Sequence, residues 1–286
     1  MKIQKIKKEY LDQIDSLDLD LIIAHVLKKN REMILSHPEV ELNKNQAAKI
    51  KRFIRRRINH EPLAYILGHK EFFGLDFKVN ESTLIPRPET ELIVEKVLEK
   101  IATIKHSNNL TILDIGTGSG NIIISLAKNL KNKNINYVAI DISKKALGIA
   151  KENIKQHGLN KKIKVIHSNL LNFLFEKKNK IKNRNLIITA NLPYLDDSWQ
   201  NLCTDIKGIL YEPKTAWHGG RDGLNIYRNL QEQLLLLRYA NKIKNVYMIC
   251  EIGPEQKERM KKIFFQYEIK FYKDLAQKWR LCEIDL

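Results

Sequence analysis

Asn191-Leu192-Pro193-Tyr194 brings a side-chain amide, a carbonyl held before a proline and a flat aromatic ring into four residues. That set suits one task, which is making a planar nitrogen attack. The lone pair of an amide or aromatic amine nitrogen is delocalised into the neighbouring π system, so the nitrogen is a poor nucleophile. Two acceptors on its NH₂ protons draw it towards a pyramidal geometry and aim the lone pair. The Asn191 side-chain oxygen is the first candidate acceptor and the Leu192 carbonyl the second. Pro193 fixes its own φ and restricts Leu192 to extended conformations, which holds that carbonyl in place. Tyr194 offers a face for a planar group to stack on. No strong base is required, because the proton departs to solvent after transfer, and catalysis is positioning for in-line displacement. An ordinary X-Pro turn is the competing reading of the same residues.

A second constellation is Asp114-Ile115-Gly116-Thr117-Gly118-Ser119-Gly120, followed by Asp141, 21 positions after Gly120. Glycines in such a turn let backbone approach a ligand and adopt positive φ. A carboxylate at the end of the next strand can accept both ribose hydroxyls of a nucleoside. Dinucleotide enzymes share this geometry, but the spacing here is G-x-G-x-G rather than G-x-G-x-x-G. No G-x-x-x-x-G-K-[ST] occurs, which argues against an ATPase. Asp114 points to a ligand with cationic groups, and S-adenosylmethionine carries a sulfonium and an ammonium that suit a carboxylate-edged site. The competing reading is a tight strand-to-helix turn.

Both motifs need strands that end together. Apolar runs at Thr111–Ile115, Tyr137–Ile140, Ile163–Ile166 and Leu186–Thr189 are short and β-rich, and helical stretches at Asn121–Leu130 and Ser143–Gln156 separate the first three. Further strands are expected at Val246–Glu251, Glu268–Tyr272 and Arg280–Ile284. This alternation predicts an α/β domain with an open, mainly parallel twisted sheet, and ligands in such sheets bind at the carboxyl ends of the strands. Ahead of it, Leu17, Leu19, Leu21, Ile22 and His25-Val26, then Ala47, Ile50, Phe53-Ile54 and Ile58, recur at helical spacing. A hairpin is expected over 72–79, with its turn at Gly74-Leu75-Asp76, before a helix running from about Pro88 to Lys100. The domains expected are helical 1–70, a hairpin linker 71–87 and the α/β domain 88–286.

With 286 residues, the chain is long enough for both domains, and no apolar run is long enough to span a membrane. The charged start MKIQKIKKEYLDQID lacks a secretory leader's apolar segment. Cys203, Cys250 and Cys282 are scattered, which predicts a reducing cytoplasm and no structural zinc; the lone His25 and His218 give no reason to propose a metal either. The net charge of +17 suits a polyanionic partner or a ribosome-rich setting, and equally a merely solvated surface, as in the lysine run 177–180. The same two readings hold for Lys51, Arg52, Arg55, Arg56 and Arg57 around the second helical stripe.

The glycine turn, Asp141 and Asn191–Tyr194 together resemble Rossmann-like class I methyltransferases acting on exocyclic or amide nitrogen. More specific strings are Leu84-Ile85-Pro86-Arg87-Pro88-Glu89-Thr90-Glu91, Pro62–Gly68 and Phe72–Phe77, with Glu212-Pro213, Gly219–Leu224 and Glu251-Ile252-Gly253 after them. They closely resemble the HemK/PrmC family of protein-(glutamine-N5) methyltransferases, over nearly the whole chain. The resemblance implies methylation of the glutamine in the Gly-Gly-Gln tripeptide of peptide chain release factors, with S-adenosylmethionine as cofactor. It implies that Gly116 to Gly120 and Asp141 hold the cofactor, that Asn191 contacts both cofactor and glutamine, and that Leu192, Pro193 and Tyr194 complete the amide pocket. Arg87 to Thr90 would lie near the site, in a buried Arg–Glu arrangement, and the N-terminal helices would help hold the release factor.

Three departures stand out. The family usually has Asn-Pro-Pro-Tyr, whereas Leu192 here gives Asn-Leu-Pro-Tyr, which is typical of ribosomal RNA adenine dimethyltransferases. Asn169-Leu170 stands where Asp and an aromatic are common; Asn169 still accepts from an adenine amine, and Leu170 gives less stacking. Asp274-Leu275-Ala276-Gln277 lacks an expected glycine. The alternatives are therefore an adenine amine methyltransferase acting on ribosomal RNA or DNA, and a non-catalytic module that docks on ribosomes.

Overall fold

The computed structural model describes residues 1–103, 110–130, 134–176, 185–199 and 206–286. The lysine run 177–180 and Cys203 lie outside the described residues. By its internal contacts the chain divides into two units, one of them Met1–His69 with a short stretch ending at Tyr211, the other the rest of the chain from Lys70.

The first unit holds helices α1 (Ile3–Tyr10), α2 (Ser16–Leu27), α3 (Arg31–Ser36), α4 (Lys44–Ile58) and α5 (Leu63–Leu67). Side-chain caps start three of them: Asp15 accepts from Leu17 N, Asn30 from Met33 N, and Asn43 forms a capping box with Gln46. The two apolar stripes meet in one core of Leu19, Ile22, Ile50, Phe53 and Ile54, closed by Ile3, Ile6 and Ile34. Leu17, counted in the first stripe, is instead exposed. Buried Asp20 pairs with Lys7 at 2.6 Å and Arg31 at 3.2 Å, so one carboxylate ties α1, α2 and α3. Around the basic α4, Lys51 pairs with Glu9, Arg56 with Glu61 and Arg57 with Asp18. Part of that positive face is thus neutralised within its own unit.

The hairpin of β1 (His69–Phe72) and β2 (Leu75–Lys78) precedes α6 (Glu91–Thr103). Then follow β3 (Leu110–Ile115), α7 (Asn121–Asn129), β4 (Ile135–Asp141), α8 (Lys144–Gln156), β5 (Ile163–His167), β6 (Asn185–Ala190), α9 (Ile206–Ile209, grouped with the first unit), α10 (Lys214–Trp217), α11 (Asn225–Tyr239), β7 (Asn245–Glu251), α12 (Lys257–Ile263), β8 (Glu268–Lys273) and β9 (Trp279–Asp285). The hairpin turn is Phe73-Gly74, with φ of 52° and 69°, one residue earlier than the sequence suggests. Two positive φ values match the right-handed twist of the flanking strands. Asp76 reads as a turn former but lies within β2, and Phe73 takes a conformation its side chain disfavours.

Among the described residues, seven strands form one sheet in the order β5-β4-β3-β6-β7-β9-β8, parallel except for β9, which is antiparallel to both neighbours. Every residue of β3 is buried, as expected for a strand covered on both faces. Leu110 and Ile112 enter the core shared with α6 and α7, while Leu113 and Ile115 enter the opposite one with α11. The chain winds outward from β3 through β4 to β5, then returns to β3's other side as β6. The winding direction therefore reverses between β3 and β6, the place where such sheets open a crevice. Among the described residues, no helix is long and apolar enough to cross a membrane.

Candidate active site

β3 and β6 pair in register, Asp114 opposite Thr189 and Ile115 opposite Ala190, so the turns that follow them meet at Gly116 and Asn191. Gly116 has φ of 71°, and a β-carbon there would lie 3.0 Å from Leu192 Cδ2. Only glycine permits both the conformation and the approach.

A cavity of about 300 Å³, within the usual size range of small-molecule sites, opens at this reversal. Gly116, Thr117, Gly118, Ser119, Asp141, Asn169, Leu170, Asn191, Leu192 and Pro193 all line it, as do Leu84, Pro86 and Thr90. The residues singled out in sequence thus converge, with three exceptions. Gly120 starts α7 with φ of 83° and is not in the wall. Tyr194 is half-buried behind the loop with its hydroxyl turned inward. Asp114 is fully buried and does not reach the cavity. Its two oxygens accept from Thr117 Oγ1 at 2.6 Å and Thr189 Oγ1 at 2.8 Å, so it braces the turn from beneath instead of facing a ligand. Burial pushes its carboxyl up to about 6, against those two hydrogen bonds.

Asp141 accepts from Gly118 N at 2.9 Å on one oxygen and from Ser143 N at 2.8 Å on the other. Each oxygen keeps a lone pair, enough to take two adjacent hydroxyls. Burial raises its carboxyl, while the backbone N–H groups of Ser143 and Gly118 oppose the rise. Ile142 and Leu170 also line the cavity and offer apolar flanks for a flat base. Leu170 holds φ of 50°, a strained conformation of the kind that tends to occur at functional sites. The glycine wall, the carboxylate and the apolar flanks fit a nucleoside with a charged tail.

The catalytic loop is held by residues the sequence alone did not connect. Asn191 Nδ2 donates to Thr90 Oγ1 at 3.0 Å, and Thr90 Oγ1 donates to Glu251 Oε2 at 2.6 Å. Tyr194 Oη donates to the other oxygen of Glu251 at 2.9 Å. Burial pushes the Glu251 carboxyl up, opposed by these two bonds. Burial and the Glu251 charge push the Tyr194 phenol well above its ordinary range, so it remains a donor. Gln256 Nε2 donates to the Tyr194 carbonyl at 2.8 Å. A β-carbon on Gly219 would lie 2.4 Å from the Pro193 carbonyl, and one on Gly223 2.1 Å from that of Tyr194. The glycines of the Gly219–Leu224 string thus serve close backbone packing against the loop. The Arg–Glu arrangement also takes a definite form: Arg87 pairs with buried Glu212, which accepts from Ile85 N at 3.0 Å and anchors the segment carrying Thr90.

Residues 6–68 match the family model of the PrmC N-terminal domain, and residues 106–270 match that of a methyltransferase domain. A release factor glutamine methyltransferase of Bacillus anthracis is 36% identical over 248 residues, covering 86% of this chain and 83% of that one. One from Clostridium botulinum is 36% identical over 272 residues, covering 93% and 90%. Among solved structures, the hMettl16 catalytic domain in complex with MAT2A 3'UTR hairpin 1 superposes with a TM-score of 0.58 over 92% of this chain and 90% of that one. At 14% identity that likeness speaks for the fold alone.

Proposed function

The chain belongs to the release factor glutamine methyltransferase family, and from that premise we propose that it methylates the glutamine of the Gly-Gly-Gln tripeptide in peptide chain release factors, modulating translation termination. It is an S-adenosylmethionine-dependent protein glutamine methyltransferase. Bound, S-adenosylmethionine supplies an electrophilic methyl on a cationic sulfur. Asp141 holds the ribose hydroxyls, the Gly116–Gly118 backbone leaves room for the tail, and Asn169 and Leu170 flank the base.

One observation carries the assignment of the chemistry. Asn191 Nδ2 is committed to Thr90, which leaves Oδ1 to accept from the substrate amide. The Leu192 carbonyl accepts a hydrogen bond from the second N–H of the NH₂ group, and the nitrogen lone pair then lies along the line of displacement. The nitrogen becomes cationic as it gains the methyl, and its proton passes to solvent. Positioning of this kind lowers a barrier by several kcal/mol without any acid or base. Helical residues 1–70 dock the release factor, and the +17 charge favours encounters near the ribosome.

The test is methyl transfer from labelled S-adenosylmethionine to a purified release factor, with its Gly-Gly-Gln glutamine intact or changed to alanine. The expected result is label on the intact factor alone, lost with Asn191→Ala. Label on ribosomal RNA and none on either factor would overturn the proposal and favour the adenine chemistry that Asn-Leu-Pro-Tyr also serves.

A further inference from the structure

We infer that Thr90 and Glu251 are positioning residues that decide which end of the Asn191 amide meets the substrate, an inference that rests on the role of Asn191 proposed above. An asparagine amide is nearly symmetric in shape and opposite in chemistry at its two ends, so a half-turn of the side chain replaces an acceptor with a donor. A donor facing the substrate NH₂ group would repel it and leave the nitrogen planar.

The hydrogen-bond chain excludes that half-turn. Both oxygens of Glu251 are taken up as acceptors, Oε1 from the Tyr194 hydroxyl at 2.9 Å and Oε2 from Thr90 at 2.6 Å, so the Thr90 hydroxyl gives its single proton to Oε2. Thr90 Oγ1 then has only lone pairs left and can only accept from Asn191, at 3.0 Å. The NH₂ end of Asn191 is thereby turned to Thr90 and the oxygen end to the cavity. This conclusion follows from counting protons and holds whichever way the amide atoms are first drawn. Thr90 is 1% exposed and Glu251 2%, so the bond between them is shielded from water.

The three groups come from separate elements, Asn191 after β6, Thr90 from the turn before α6 and Glu251 from the end of β7. The second oxygen of Glu251 accepts from Tyr194 at 2.9 Å, so one carboxylate orients both ends of the four-residue loop. The Tyr227 hydroxyl donates to the Glu251 backbone carbonyl and fixes the strand end that bears it.

Thr90→Val keeps the side-chain shape and deletes the hydroxyl. With labelled S-adenosylmethionine and a release factor, its kcat is expected to fall about tenfold or more, the scale of a misaimed reacting group. Cofactor affinity, measured by calorimetry, stays within about twofold, because the exchange leaves Asp141 and the glycine turn untouched. Thr90→Ser restores most of the rate. Glu251→Gln, which can donate to Thr90 and so reverse the chain of donors, loses kcat in the same manner and serves if the valine variant does not fold. An unchanged kcat in Thr90→Val, an equal loss in Thr90→Ser, or a parallel loss of cofactor affinity would overturn the inference. Asn191→Ala separates the two levels: if it is inactive while Thr90→Val is fully active, only the positioning role fails; if it is active, the reading of Asn191 itself fails.

Discussion

The Asp114 carboxylate accepts the Thr189 hydroxyl at 2.8 Å across two paired strands. The support beneath the glycine turn and the support beneath Asn191 are therefore one hydrogen-bonded piece, and a change on either strand is felt in both turns.

That bond makes the stability of the protein depend on pH in a definite direction. Burial raises the Asp114 carboxyl from its usual 3.8 to about 6, so its protonated form is the better buried one. Its contribution is whole below about pH 4, where the unfolded chain is protonated too, and is lost as the pH rises through about 6. Asp114→Asn keeps one acceptor and gains a donor for the two threonine hydroxyls. It is expected to be more stable than the parent at pH 7, by up to about 3 kcal/mol for a shift of this size. Urea unfolding at pH 4 and pH 7 checks this, since the advantage has to vanish at the lower pH.

Glycine substitutions at two sites should have opposite signs. Gly223 has φ of 74° and no space for a β-carbon beside the Tyr194 carbonyl, so Gly223→Ala strains the backbone and displaces the loop. A loss on the order of 3 kcal/mol, with activity lost as well, is expected. Gly148 lies exposed within α8 with nothing within 4 Å of its β-carbon position, and Gly148→Ala gains roughly 0.5–1 kcal/mol. Thermal unfolding of the pair, read beside methyl transfer, distinguishes them.

How much of this could be read from the chain depended on sequence distance. The strands were legible because β3, β6 and β7 are continuous apolar runs bounded by turns, and the observed strands begin within about two residues of the expected ones. Gly116, Asp141 and Asn191 were legible because each follows directly on such a run. Thr90 and Glu251 stand 161 positions apart and carry no shared periodicity, so nothing local signals that one hydroxyl links them. The tie of Gln256 to Tyr194 escaped for the same reason. Asp114 was misplaced towards the ligand because its motif shows a carboxylate at a strand end without showing that two threonines enclose it.

Asp141→Ala should weaken cofactor binding selectively. Hydrogen bonds to a charged acceptor are worth about 1.5–3 kcal/mol each, so losing two of them is expected to raise the dissociation constant by about two to four orders of magnitude. Gly118 N and Ser143 N would also lose their acceptor, which lowers stability modestly. Calorimetry with S-adenosylmethionine or its demethylated product measures the effect. An unchanged constant would remove Asp141 from the cofactor site.

Glu212→Ala leaves the Ile85 N–H without its acceptor and Arg87 without its partner. The Arg87 side chain is 38% exposed, so water screens the pair and most of the loss comes from the backbone donor. A destabilisation on the order of 2 kcal/mol is expected, and about half that for Glu212→Gln, which still accepts from Ile85. Parallel melting curves of the two variants test the difference.

The winding reversal between β3 and β6 also bears on how the enzyme comes into being. Its working groups arrive from Thr90, the glycine turn, Asp141, Asn191, Gly223 and Glu251, so that Thr90 and Asn191 emerge well before the Gly223 and Glu251 that hold them. Local segments of this chain can form helices early, but a parallel sheet closes only after long loops have been gathered. During synthesis, therefore, no fraction of the chain emerging before β7 can hold the Asn191 loop in its working shape, and competence appears in a single late step.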